Sequence, residues 1–153
     1  MSTRFSSEEA LRNARLDWLS VLVRVPAQDL IALADTLSLS VTELKAPEVG
    51  LMMTEGRIHA TGQPFRLGEV SLTRCVLQDD LGHLGYGQIL GRNKAQARAI
   101  ALLDLALQRT ESADEVESRL AAWRQEMDEL DAMEDEAIQE SRVNFFTLVR
   151  GEA

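Results

Sequence analysis

The sequence predicts an α+β fold: an N-terminal helical hairpin, an antiparallel sheet packed by a helix, and a long C-terminal helix with a docking tail. Three observations predict it. Apolar residues recur at helical spacing before residue 38 and again after Asn93. Between those stretches, seven of the nine glycines lie from Gly50 to Gly87 and punctuate short apolar runs, as strands and turns require. The last third carries a heptad-like seam and then an apolar end. At 153 residues the chain has the length of one domain. It divides into a body over 1–110, an acidic helix over 111–140 and an apolar tail over 141–153.

Ser6 with Glu9 makes a capping box, and Leu11, Ala14, Trp18, Leu22 and Val25 follow on one face, predicting a helix over 7–24. Pro26 suits the first turn of a second helix with Leu30, Leu33, Ala34 and Leu37 on one face. Strand candidates follow at 51–55, 57–60, 64–67, 70–77 and 84–90, with a turn at Thr61-Gly62-Gln63-Pro64. Apolar parity slips between Leu67 and Val70, so a bulge or bend is expected at Gly68-Glu69. Short connections imply an antiparallel meander, since parallel crossovers need a dozen or more linking residues.

Asn93 is a good N-cap, and Lys94 to Arg109 lacks glycine and proline. Apolar residues nearly surround that stretch, so the helix should pack across the sheet. Ser112 with Glu115 forms a second capping box. Val116, Leu120, Trp123, Met127, Leu130 and Ala137 then mark one stripe of a helix of about 28 residues. A helix that long either packs on the first hairpin or overhangs the body. Val143, Phe145, Phe146, Leu148 and Val149 follow, flanked by Arg142 and Arg150. Exposed to water, each large apolar side chain forfeits about 1.5–3 kcal/mol, so this segment is the candidate partner-binding tail, on its own domain or on another chain.

The net charge is −9, which argues against a nucleic-acid or anionic-membrane partner. The acidity is local. Residues 1–110 hold 12 acids and 12 bases, residues 111–140 hold 12 acids and 2 bases, and residues 141–153 net +1. Such a run is either a solvated helix face or a face that meets a basic partner. The N-terminus is too charged for a secretory signal, and no uncharged run approaches the roughly 20 residues of a membrane span, so a cytoplasmic protein with reduced Cys75 is expected.

Little in the sequence carries chemistry. His59, His83 and Cys75 are the only histidines and cysteine, with no metal-ligand spacing; surface or strand-packing roles are expected rather than a metal site assembled across strands. Cys75 has no adjacent base and reads as a small buried hydrophobe. Arg57, Arg66, Arg74 and Arg92 are expected to pair with Glu55, Glu69 or Asp79. No carboxylate pair stands out as an acid/base set, and no catalytic residue is assigned. Gly91, Arg92 and Lys94, at a strand-to-helix junction, are the anion-binding candidates. The glycine spacing matches neither a P-loop nor a dinucleotide fingerprint, and turn geometry alone also explains it.

Several blocks together carry a resemblance. Gly56-Arg57-Ile58-x-x-Thr61-Gly62-x-x-Phe65-x-Leu67-Gly68-Glu69 leads to Leu72-Thr73-Arg74-Cys75, then Gly85-Tyr86, Gly91-Arg92, Ala101-Leu102 and Leu105-Ala106-Leu107-Gln108. The last block is Ser141-Arg142-Val143-Asn144-Phe145-Phe146-Thr147-Leu148-Val149-Arg150-Gly151. In order and spacing these resemble the PhnG family, the small subunit of the bacterial carbon–phosphorus lyase system. Asn93 and Asn144 stand where aspartate is expected, and Leu148 where methionine is expected.

The resemblance implies a subunit of a core complex with PhnH, PhnI and PhnJ. With a PhnL-like protein, that system displaces adenine from ATP by methylphosphonate, giving ribose 1-methylphosphonate 5-triphosphate. It implies that ATP is a substrate of the complex and that this chain binds no cofactor. It supplies no catalytic residue to transfer. The alternative, from the residues alone, is a stand-alone homo-oligomeric adaptor using the heptad seam, and a homodimer of the isolated chain stays open.

Overall fold

A computed structural model of the chain describes residues 5, 7–57, 62–110 and 113–140. Ser6, His59, Thr61, Ser112 and the tail over 141–153 lie outside the described residues, and with them both predicted capping boxes and the tail's conformation. The order is α1 (Glu8–Leu22), α2 (Ala27–Thr36), β1 (Val41–Arg57), β2 (Pro64–Asp79), β3 (Leu84–Leu90), α3 (Lys94–Gln108) and α4 (Ala113–Glu140). The predicted α+β class holds: the described residues form four helices, the last of them long, and a three-stranded antiparallel sheet in the order β1-β2-β3.

The N-cap of α1 is Ser7, one residue later than expected. Adjacent serines offer the same chemistry, and the Ser7 hydroxyl is the one that accepts from the Ala10 N–H at 3.1 Å. Pro26 stands at the N-cap of α2 rather than inside its first turn, and its carbonyl accepts from Asp29 and Leu30.

The sheet corrects the reading of five short strands. β1 starts ten residues before the predicted Leu51 and runs unbroken to Arg57. Glu43, Lys45, Pro47 and Glu48 hid it, because a polar run with proline does not look like a strand. It is an edge strand with register shifts between Glu43 and Lys45 and between Lys45 and Glu48, where proline is tolerated. The bulge expected at Gly68-Glu69 is displaced to Leu67, just before it. Thr54 faces Gly68 and Glu55 faces Arg66, which leaves Leu67 unopposed, and Gly68 takes φ 147°.

α3 lies across β2 and β3 with eleven of its 15 residues buried. Two glycines make that approach feasible. A Cβ on Gly87 would lie 1.7 Å from the Ala97 carbonyl oxygen, and one on Gly85 would lie 2.2 Å from that of Ala101. Only hydrogen fits between this helix and this strand. Cys75 and Leu77 of β2, Leu22 and Leu30 of the helical hairpin, and Val116 and Trp123 of α4 complete the core around α3.

α1 and α4 run parallel, joined by Asp17 to Arg124 and by Arg24 to Asp131. The seam on α4 is therefore divided. Val116, Leu120 and Trp123 are buried and Met127 is half-buried, whereas Leu130 and Met133 are 59% and 67% exposed. The sheet shows the same division. β3 ends opposite Leu72, so Pro64–Ser71 pairs only with Leu51–Arg57 and forms a two-stranded ribbon.

Candidate functional site

The predicted anion-binding junction is a turn between β3 and α3. Gly91 takes φ 99°, its N–H donates to the Ser71 carbonyl at 2.7 Å, and its own carbonyl accepts from the Thr73 hydroxyl at 2.7 Å. These bonds explain the glycine without a ligand. The Asn93 carboxamide caps α3 by accepting from the Gln96 N–H at 3.0 Å. Arg92 and Lys94 are exposed there, and neither is ion-paired with another described residue. The junction therefore presents two unengaged cations beside a helix start.

The other predicted arginines scatter. Arg74 pairs with Glu48 at 3.0 Å rather than with the acids expected, and Arg66 lies opposite Glu55 in the register. Asp79 is taken by Arg109 and His83. Cys75 is buried opposite Gly87, and burial raises its thiol pKa, as a structural cysteine's should be. Among the described residues no group of three or more His, Cys, Asp or Glu side chains could hold a metal ion.

Two polar clusters were missed by sequence reasoning. The first is centred on Asp104, fully buried in α3. Its Oδ1 accepts from Arg15 Nε at 3.0 Å and Trp18 Nε1 at 2.9 Å, and its Oδ2 accepts from the Tyr86 N–H at 2.8 Å. The Arg15 guanidinium also donates to the Leu84 carbonyl and lies 5.1 Å over the Tyr86 ring. Gln108 adds a bond to the Leu84 carbonyl at 2.9 Å. Together these side chains seal the outer edge of β3, which would otherwise offer bare N–H and C=O groups. Burial pushes the Asp104 pKa up, against the opposing pull of Arg15, the Tyr86 N–H and Trp18. The available signal was a lone carboxylate inside Leu102-Leu103-Asp104-Leu105, which only internal donors can make tolerable.

The second cluster closes the β2–β3 hairpin. Asp79 Oδ1 accepts from the Leu81 and His83 N–H groups at 3.0 and 2.8 Å, and His83 Nδ1 lies 2.9 Å from Oδ2. Burial alone would raise the Asp79 pKa; the hydrogen bonds from His83 and Leu81 outweigh it, and the net shift is downward. A cleft of about 260 Å³ opens beside His83, lined also by Phe5, Ser7, Glu8, Leu11 and Gln108. Its Ser7 hydroxyl is engaged as a cap and its Gln108 amide by Leu84 and Asp104, so among the described residues no nucleophile–base pair converges on it. Among the described residues no buried side-chain polar atom lacks a partner.

Large apolar side chains also stand exposed. Leu51, Met52, Met53, Phe65 and Leu67 on the ribbon are 40–66% exposed, and Leu90 is 64% exposed. The predicted partner-binding residues Arg142, Val143, Phe145, Phe146, Leu148, Val149 and Arg150 lie outside the described residues. No helix among the described residues is long and apolar enough to cross a membrane.

Comparison with known proteins identifies the family. The family model described as phosphonate metabolism protein PhnG matches residues 13–151. A protein of Rhizobium meliloti (strain 1021), named alpha-D-ribose 1-methylphosphonate 5-triphosphate synthase subunit PhnG, is 32% identical over 154 residues, covering 99% of each chain. Matched over nearly its whole length by both, the chain belongs to the PhnG family.

Proposed function

We propose that the chain is a subunit of an alpha-D-ribose 1-methylphosphonate 5-triphosphate synthase and acts in the catabolism of organic phosphonates in the cytoplasm. The observation that carries this is the match to a relative bearing that name, which covers 99% of each chain. The physical reading supports it. The buried polar groups are spent on holding the fold, while apolar surface remains for other polypeptides. In this reading PhnH-, PhnI- and PhnJ-like subunits and a PhnL-like protein are the partners, and ATP is a substrate of the assembly. The chain binds no cofactor and contributes structure to a site built mainly elsewhere.

The test is reconstitution. The co-expressed subunits, supplied with methylphosphonate and ATP, should release adenine only when this chain is present. Truncation after Gln139 should remove it from the assembly. Undiminished adenine release without the chain would overturn the reading.

A second role rests on the two unengaged cations at the β3–α3 junction. Arg92 and Lys94 are placed to touch a triphosphate or phosphonate at a shared site. Arg92→Ala should then lower turnover of an intact complex while leaving assembly unchanged. Normal turnover would remove this role.

A further inference from the structure

The exposed half of α4 and the β1–β2 ribbon leave the body at the same end, as the contacts between the helices and the sheet show. α3 runs antiparallel to α1, because Asp104 meets Arg15 and Trp18 while Gln96 reaches the Val25 carbonyl. The start of α3 is therefore beside the end of α1. Arg24, at that end of α1, holds Asp131, so α4 passes the body there and continues to Glu140, about 14 Å further at 1.5 Å per residue. The same end holds Gly91, bonded to Ser71, where β2 loses β3 and the ribbon begins. The ribbon's eight residues from Pro64 to Ser71 reach roughly 26 Å at 3.3 Å each.

The two projections differ in chemistry. Ribbon residues 51–57 and 64–71 carry Glu55, Glu69, Arg57 and Arg66, and so are neutral. Apolar side chains occupy both faces: the register puts Leu51 and Met53 on the side of buried Thr73, and Met52 and Val70 on the other. A two-stranded ribbon that is apolar on both faces is marginal alone in water. From Glu126 to Glu140 the helix carries eight carboxylates and no lysine or arginine, around exposed Leu130 and Met133.

We propose that this end is one two-pronged docking face, taken by another subunit whose apolar surface is rimmed by lysine and arginine. The proposal rests on the subunit reading above and adds where the partner sits and what charge it carries. Charge selects the occupant. A second copy would set this acidic helix, of whose eight carboxylates only Asp131 is paired with Arg24, against its like, whereas a basic rim neutralises it and lets the apolar stripe and ribbon desolvate. Leu81, an exposed apolar residue in the β2–β3 turn, is at the opposite end and supplies the control.

The test uses the tagged full chain co-expressed with PhnH-, PhnI- and PhnJ-like subunits. Leu130→Ser with Met133→Ser, and separately Leu51→Ser with Met53→Ser, should each weaken assembly by about tenfold or more. Leu81→Ser should leave it unchanged. All five side chains are exposed, so folding is preserved, checked by the melting temperature of each isolated variant. Assembly should also weaken from about 0.05 to 0.5 M salt, as screening predicts. Parent-like assembly of both prong variants would overturn the docking face alone. Failure of the unmodified chain to assemble would overturn the subunit reading with it. Sedimentation of the isolated parent as a dimer that the prong substitutions dissolve would overturn the choice of occupant.

Discussion

The two halves of α4 carry one apolar spacing and meet opposite surroundings. Val116, Leu120 and Trp123 are buried against the body, while Leu130 and Met133 stand in water. β2 divides the same way. From Thr73 to Asp79 every second residue is buried, and before Val70 every residue is exposed. Periodicity decides which side chains share a face. It does not decide what covers the face. Among the described residues one end is covered by helices, and the other keeps its apolar side chains exposed.

The sharpest break in that comparison is inside the packed end. Asp104→Ala removes the acceptor for Arg15 Nε, Trp18 Nε1 and the Tyr86 N–H, and leaves Arg15 only its bond to the Leu84 carbonyl. Stranding the partners of a buried charge costs about 3–5 kcal/mol, readable as a lower urea midpoint. A loss under about 1 kcal/mol would show that the cluster is not what joins α1, β3 and α3. Next come two glycines. Gly87→Ala drives a methyl into the Ala97 carbonyl and should cost about 1–3 kcal/mol through overpacking. Gly50→Ala, whose nearest neighbour would be Arg74 at 4.0 Å, should change stability by less than about 0.5 kcal/mol. Equal costs would erase the distinction between the covered and uncovered ends.

Acid gives a smaller effect on the packed end. Asp79 titrates below its ordinary 3.8 in the folded chain, so the unfolded chain takes up its proton first. Its stabilisation is complete above that value and is lost as pH falls through it towards the folded pKa. Asp79→Asn should therefore flatten the acid limb of a stability profile, and an unchanged limb would refute the assignment. Smallest of all is Leu130→Ala, within about 0.5 kcal/mol in the isolated chain, because that side chain is still in water. A large loss there would mean that the outer half of α4 is packed after all.

Sequence reasoning reached what local chemistry determines. The helices, the Asn93 cap, the meander and the slip near Gly68 all follow from spacing and turn residues. It missed the first half of β1, because an edge strand tolerates Pro47 and charges that a central strand would reject. It offered turn geometry for the glycine-rich stretch, which holds for Gly82 and Gly91 with their positive φ. It did not foresee that Gly85 and Gly87 make room for α3, since that contact joins residues distant in the chain. Asp104 was legible as an oddity, but its donors Arg15 and Trp18 lie almost ninety residues away. Arg92 and Lys94 stand at the strand-to-helix junction that the sequence reading describes, and their contact with an anion stays a proposal. The acidic run could not be paired with the ribbon until the helix directions were known.

The most direct measurement is amide hydrogen exchange on the full chain, alone and assembled with the other subunits. Residues 98–107 of α3 should be protected in both states. Residues 51–57 and 130–138 should exchange quickly in the isolated chain and become strongly protected in the assembly. Protection of those two segments in the isolated monomer, or no gain on assembly, would contradict the view that this end is completed by another polypeptide.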